Sequence, residues 1–143
     1  MATFTKYETF IEAFANKLID AFGTTDTWRV VIHTDAPVVA TDADATVDLT
    51  QIAGNNGYTT GGENITYNST RASGTVTFTA VDVVWTASVG NLGSSTTGRY
   101  FSIYDDTSVG NSLMNSYDYG TTFTVASGET MTVDFGASLA TLA

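Results

Sequence analysis

The chain contains no cysteine, which excludes disulfide bonds, thiolate nucleophiles and cysteine-based metal sites. Positive charge is also scarce: five Lys and Arg residues stand against fifteen Asp and Glu, for a formal net charge of −10. An acidic surface without a basic stretch repels phosphates, so we expect no nucleic-acid partner. No apolar run approaches membrane-spanning length, and no signal segment is visible, so we expect no membrane partner and synthesis in a reducing cytoplasm.

The residues that are present suit one folded domain over residues 1–143. Hydrophobic residues make up 43% of the chain and include eight Phe, seven Tyr and two Trp, enough apolar area for a core. Only 14% of residues are charged, and Thr, Ser, Gly and Asn take their place. These uncharged polar residues suit exposed strand faces and turns, a composition common in secreted, fimbrial and virion proteins.

Helical periodicity occurs once, near the N-terminus, and predicts an amphipathic helix over residues 5–22. Thr5 and Glu8 have the spacing of a capping box at its start, and Gly23 is placed to end it. The apolar positions expected to form its buried face are Tyr7, Phe10, Ile11, Phe14, Leu18 and Phe22.

After residue 27 the apolar period changes from 3.6 to 2, which predicts a β core over residues 27–135. Val83, Trp85 and Ala87 share one face of a strand, so we expect Trp85 to be a core residue. Predicted strands cover residues 28–34, 64–68, 75–80, 82–88, 99–104, 113–119, 121–126 and 130–135, with Gly120 as a turn. Short strands at this spacing favour a mainly β fold: a single-domain antiparallel β-sandwich or jelly-roll-like core with one N-terminal amphipathic helix.

No residue constellation in the sequence specifies a reaction, and we expect no catalytic residue and no enzyme activity. His33 is the single histidine, and no serine lies in a nucleophile-elbow pattern, so we interpret His33 as an ordinary strand residue. Asp105 and Asp106 end a strand, where neighbouring side chains point to opposite faces rather than converging. Arg99 is expected to pair with Asp82, Asp105 or Asp118.

Binding motifs are equally incomplete, and we expect no metal and no cofactor. Asp42, Asp44 and Asp48 lie close together but lack the glycine and terminal glutamate of a helical calcium loop, which favours a solvated acidic loop. Neither glycine-rich run, 61–62 nor 90–98, leads into a predicted helix as a phosphate-binding loop does. An aromatic cluster is either a stacking platform for sugars or, as we favour, a set of core and cross-strand pairs: Tyr100, Phe101, Tyr104, Tyr117 and Tyr119.

The order of the segments along nearly the whole chain resembles a group of small virion structural proteins of tailed bacteriophages. The segments that carry the resemblance are residues 10–22, 28–34, 34–37, 57–62, 80–88, 98–106, 113, 117–120 and 130–135. Proteins of this group are commonly met near the gene of the major capsid protein and are interpreted as capsid decoration or cement proteins.

The resemblance implies a non-enzymatic protein of the virion, located on the capsid surface after synthesis in the cytoplasm of the host bacterium. Its expected partners are the major capsid protein of the phage head and further copies of itself, with a trimer preferred over a dimer. The alternative is a carbohydrate- or receptor-binding module of a phage fibre, tail or head appendage. No catalytic residue is implied by the resemblance.

Overall fold

The structure is a computed structural model that describes residues 4–20, 25–94 and 97–142. Over these residues the chain is mainly β, with antiparallel sheets and one short helix. The strands are β1 Thr5–Lys6, β2 Trp28–His33, β3 Glu63–Asn64, β4 Tyr67–Ala72, β5 Thr75–Ala80, β6 Val83–Thr86, β7 Gly98–Asp105, β8 Leu113–Phe123, β9 Thr130–Val133 and β10 Ala140–Leu142, and the helix is α1 Glu8–Ala15.

The strands form three sheets. A five-stranded sheet has the order β1-β8-β7-β2-β3, a three-stranded sheet the order β10-β5-β4, and β6 pairs with β9. Every pairing is antiparallel. Strands β2 and β7 are central in the largest sheet, and their side chains are buried almost throughout because both faces are covered.

Aromatic contacts show what covers one face of the five-stranded sheet. Trp28 of β2 stacks on Tyr67 of β4, with ring centroids 3.8 Å apart, and its ring lies 5.4 Å from that of Phe78 of β5. Further along, Trp85 of β6 lies 6.4 Å from Phe101 of β7. Both smaller sheets therefore pack against this face, and the core lies between them and the larger sheet.

The helix is shorter than the predicted 5–22, and the predicted capping box is wrong. Thr5 and Lys6 pair with Ser116 and Asn115 of β8, so their backbone belongs to the sheet and the helix begins only after Tyr7. No side chain caps this end. Two structures compete for Thr5. Its pairing with β8 holds it in a strand, so it cannot serve as the N-cap residue of the helix.

The C-terminal end of α1 also departs from the prediction. Lys17 adopts a φ of 56°, the Leu18 amide donates to Ala13 and the Lys17 amide donates to Phe14, which is the hydrogen-bond pattern of a Schellman motif. Lys17 therefore ends the helix well before residue 23. Of the predicted buried face, Ile11 and Leu18 are exposed. The predicted Phe22 and Gly23 lie outside the described residues.

Gly120 does not form the predicted turn, and the two strands predicted on either side of it are one strand, β8. Its φ is 89°, and it lies where the pairing of β7 with β8 changes register between Gly98 and Tyr100. A glycine in this conformation allows a bulge inside a continuous strand. The local sequence signal of a bulge and of a turn is the same.

The β structure extends beyond the predicted 27–135 in both directions. Strand β1 lies before this range, and β10 pairs with β5 after it. Leu139 is buried, and its amide donates to Phe78, which brings the C-terminal segment against the sheet. The alternation predicted for residues 83–87 is confirmed: Val83, Trp85 and Ala87 are buried.

Candidate functional site

A chain of buried polar side chains lies on the second face of the five-stranded sheet. The Tyr7 hydroxyl lies 2.9 Å from Ser102 Oγ, which in turn lies 2.9 Å from His33 Nε2. His33 Nδ1 lies 3.0 Å from the Asp35 carbonyl oxygen and 3.2 Å from Asp35 Oδ1. Tyr7, His33 and Ser102 are each 0% exposed. The sheet and the segment before α1 thus hold three polar side chains together in the interior, and the partly exposed Asp35, just after β2, ends the chain of contacts.

The hydrogen bonds fix the direction of the protons along this chain. A carbonyl oxygen only accepts, so His33 Nδ1 carries the hydrogen and donates it to Asp35. Nε2 then accepts from Ser102, whose oxygen accepts from Tyr7. Burial lowers the pKa of His33 and raises that of Tyr7 to about 12, so both are neutral near pH 7.

Serine, histidine and aspartate here have the mutual contacts of a hydrolytic triad, which the sequence interpretation of His33 did not foresee. The structure brings His33 to Ser102 of β7, the neighbouring strand, and to Asp35, two residues along the chain. The serine oxygen already accepts a hydrogen bond from Tyr7 and has no exposed surface. A nucleophile must reach a substrate atom, and in this arrangement the serine faces packed protein.

Asp105 is a second buried polar group. It is 0% exposed, and its Oδ1 atom accepts hydrogen bonds from the amides of Thr107 and Ser108. Its Oδ2 atom is buried without a hydrogen-bond donor among the described residues. Burial, with the neighbouring Asp26 carboxylate adding to it, raises the pKa of Asp105 to about 7. Asp106 is exposed and lies 3.4 Å from Arg29, so the two neighbouring carboxylates do not converge.

Arg99 is paired with Asp118, one of its three predicted partners. Its Nε and NH2 groups each donate at 3.0 Å to the two oxygens of this carboxylate. The pair lies at the surface, where solvent screens the attraction. Asp82 instead accepts from the Phe135 amide.

The acidic loop uses its carboxylates to hold its own backbone. Asp48 Oδ2 accepts from the amides of Ala43 and Asp44, at 2.8 and 2.9 Å. Asp44 Oδ1 accepts from the amide and hydroxyl of Thr46, and Asp42 Oδ2 accepts from the Val38 amide. Among residues 4–20, 25–94 and 97–142, no group of three or more His, Asp or Glu side chains is arranged to hold a metal ion.

The predicted aromatic cluster is divided between two faces of the sheet. Tyr100 stacks on His33, and the Tyr104 hydroxyl donates to the Gly61 carbonyl, on the side of the polar chain. On the other face a cleft of about 170 Å³ forms between β7, β8 and β9. It is lined by Phe101, Tyr117, Tyr119, Met131, Thr132, Val133 and Asp134. Tyr119 is 46% exposed and offers a ring surface to solvent.

An apolar groove of about 310 Å³ lies at the C-terminal end of α1, and sequence reasoning did not identify it. Its lining includes Leu18 and Ala13 from the α1 side and Leu113 and Val109 from the chain around the start of β8. Leu18 is 43% exposed and Val109 is 87% exposed. The sequence gives no sign of this groove, because Leu18 fits the apolar periodicity of the helix and is therefore predicted to be buried.

The single helix in the described part of the chain lacks the length and apolar character needed to cross a membrane. Comparisons of the chain with protein-family models, with curated proteins and with solved structures give no match in any of the three.

Proposed function

We propose that this protein is a non-enzymatic virion structural protein, a decoration or cement protein that binds the assembled head of a tailed phage and stabilises it. The hydrogen-bonded side chains of Ser102 and His33 have no solvent-exposed surface, which favours a structural role for them over a catalytic one. The proposal rests also on the resemblance of the segment order. A protein that binds only the assembled shell stabilises it by mass action.

The observation that carries the proposal is the apolar groove beside α1. Exposed apolar side chains that line one concave surface mark protein contact sites, whereas isolated ones need no explanation. Leu18 and Val109 come from distant parts of the chain and meet at this groove. We therefore assign this groove as the contact surface for the major capsid protein.

The charged residues of the groove indicate what kind of capsid segment would bind in it. Glu12 and Asp44 lie on the groove beside its apolar residues. A capsid segment with an apolar anchor flanked by lysine or arginine would complement both properties. The overall charge of −10 favours a partner surface that is neutral or basic.

The proposed architecture is a β-sandwich with jelly-roll-like character. The contacts of Trp28 with Phe78 and of Trp85 with Phe101 support a layer made by the two smaller sheets opposite the five-stranded sheet.

The experiment is co-sedimentation of purified protein with expanded shells that lack it. Val109→Lys removes an apolar contact and places a positive charge against the basic capsid segment, so it should weaken shell binding by about tenfold or more. The matched control is Val89→Lys, since Val89 is 97% exposed and does not line the groove. Equal binding of the two variants would assign the contact elsewhere, and no binding of the unmodified protein would reject decoration.

A second candidate function, a carbohydrate-binding module, is favoured by the aromatic cleft. Tyr119 presents an exposed ring, and Thr132 and Asp134 place a hydroxyl and a carboxylate beside it. A sugar ring stacked on tyrosine would use these groups as hydrogen-bond partners. In a glycan-binding screen, Tyr119→Ala should abolish any signal while Val84→Ala, an exposed position on β6, retains it. Signals unaffected by Tyr119→Ala would exclude this cleft.

A further inference from the structure

Strand β4 forms a free edge of the three-stranded sheet. It pairs with β5 on one side over all six residues, from Tyr67–Ala80 to Ala72–Thr75, without a register shift. Four of its residues are exposed: Asn68, Thr70, Arg71 and Ala72. Beyond this hairpin partner, no hydrogen bond reaches the backbone of residues 68–72 from the described part of the chain. The strand therefore presents a second, unused set of backbone groups.

The pairing with β5 identifies the backbone groups that point outward. In an antiparallel pair, opposite residues exchange both hydrogen bonds at alternate positions only. The Val81 amide donates to the Thr66 carbonyl, which makes this pair a bonded one and sets the phase. By alternation, Asn68, Thr70 and Ala72 bond to β5. The N–H and C=O groups of Ser69 and Arg71 consequently face away from the sheet.

Natural sheets protect exposed edges with proline, lysine, bulges or very short strands. The edges of the five-stranded sheet follow this rule, since β1 and β3 have two residues each. Strand β4 has six residues, with no proline and no acid, and its one charge is Arg71. The other edge strands are shorter, since β6 and β9 have four residues each and β10 has three, so β4 is the longest edge strand among the described residues. We propose that β4 pairs antiparallel with β4 of a second copy of this chain, forming a two-fold dimer.

The occupant that we propose is a second copy, because antiparallel pairing makes one strand edge complementary to an identical edge. Most of the surface of a chain with a net charge of −10 repels another copy of itself, but β4 contributes no negative charge to the contact. Strand pairing of identical edges brings together mostly uncharged polar side chains, with Arg71 as the one charge of each strand. The contact is isologous, so it closes at two copies and leaves no growing edge.

Charge also selects the register. Pairing that places Arg71 opposite Arg71 of the second copy sets like charges against each other, which is unfavourable. When Ser69 lies opposite Arg71 of the second copy, the outward N–H and C=O groups of both residues all form hydrogen bonds between the two chains. It places Thr70 opposite Thr70 on the two-fold axis, a favourable β-branched pair. This is the register that we assign.

Proline substitution tests the use of the outward amide. Ser69→Pro removes an N–H that the hairpin does not use, and proline is tolerated at such edge positions. The protein should remain folded, with its Tm close to that of the unmodified chain, but become monomeric. Ser69→Ala, the matched control, keeps the N–H and should remain dimeric. Mass is measured by sedimentation equilibrium between about 1 µM and 1 mM, the range in which a small interface is expected to associate.

Cysteine cross-linking tests the register, and the absence of native cysteine makes the result unambiguous. Thr70→Cys should form a disulfide-linked dimer under mild oxidation, because the Thr70 pair on the two-fold axis is a non-hydrogen-bonded one, with Cα atoms about 4.5 Å apart, a separation that a disulfide spans. Thr132→Cys, exposed on β9, is the control and should stay monomeric on a denaturing gel.

Each other outcome overturns the proposal. A monomer at all concentrations, a trimer, or a Ser69→Pro variant that remains dimeric excludes pairing through β4. The inference does not rest on the proposed function, because these measurements use the isolated protein and can fail while shell binding succeeds.

Discussion

Ser102 and His33 are joined through their side chains, Oγ to Nε2 at 2.9 Å, although they are not opposite each other in the sheet. Strand pairing places His33 opposite Tyr100 and Ser102 opposite Val31, so the contact is diagonal between β2 and β7. It connects the interior of the largest sheet to Tyr7, at the start of α1.

Ser102→Ala should destabilise the protein by about 2–4 kcal/mol, because it leaves the Tyr7 hydroxyl and His33 Nε2 buried without their shared partner. The free energy of unfolding from urea titration measures the effect. Thr132→Ala, on the exposed face of β9, is the control and should change it by less than about 0.5 kcal/mol. A Ser102→Ala variant as stable as the unmodified chain would show that the buried chain is not a stabilising network.

Asp105 should make stability fall as pH rises from about 4 to about 7. Its pKa is raised to about 7 by burial, so the folded state holds a proton that the unfolded state releases in this window. Asp105→Asn should flatten this part of the pH profile and increase stability at pH 7.5 by about 1–3 kcal/mol, since an amide keeps an acceptor for Thr107 and Ser108 without the buried charge.

The control for this pH profile is Asp106→Asn, which removes the exposed carboxylate next in sequence and should leave the slope in place. His33 acts in the opposite sense, because its lowered pKa makes stability fall as pH drops below 6.5. Chemical denaturation between pH 4 and 8 separates these contributions. An Asp105→Asn profile parallel to that of the unmodified protein would contradict the assignment.

Trp85→Ala should cost about 3–5 kcal/mol, because the ring is 1% exposed and packs between Tyr58 and Phe101. Trp85→Phe should cost less, as it retains an aromatic ring and removes an indole N–H that has no hydrogen-bond partner among the described residues. Thermal unfolding of both variants shows which of the two substitutions destabilises the protein more. The reverse order would mean that the indole N–H, not packing, determines the contribution of this residue.

Gly62→Ala should prevent stable folding or lower the Tm strongly. A Cβ atom at Gly62 would lie 1.8 Å from the Val30 carbonyl oxygen, where the loop before β3 approaches β2. Gly74, at the tip of the β4–β5 hairpin, has a similar φ of 83° but nothing within 4 Å of a Cβ. Gly74→Ala therefore costs only the left-handed backbone strain, about 1–2 kcal/mol. Equal losses for the two variants would rule out the steric argument.

The sequence predicts strand positions correctly where one face of the strand is buried and the other is exposed to solvent, as at Val83 and Trp85. The helix boundaries did not, because the pairing of Thr5 with β8 and the left-handed Lys17 depend on the tertiary structure. Gly120 shows the same limit, since a glycine signals a special backbone conformation without distinguishing a bulge from a turn.

The polar groups of the interior were not predicted, because their contacts join distant parts of the chain. Tyr7 and Ser102 are separated by 95 positions, and no local pattern brings them together. The exposure of Leu18, which completes the apolar groove, depends likewise on where the chain leaves α1.

Imaging of labelled protein on whole particles tests whether the protein binds the phage head, as we propose. Purified protein carrying a gold label is mixed with intact virions and with tail-less shells of the proposed parent phage, and both are examined by electron microscopy before and after heating. We expect label at many regular positions on the head, and shells that retain DNA at higher temperature than shells without the protein. Label confined to tails or fibres, or shells that gain neither label nor heat resistance, would contradict this proposal.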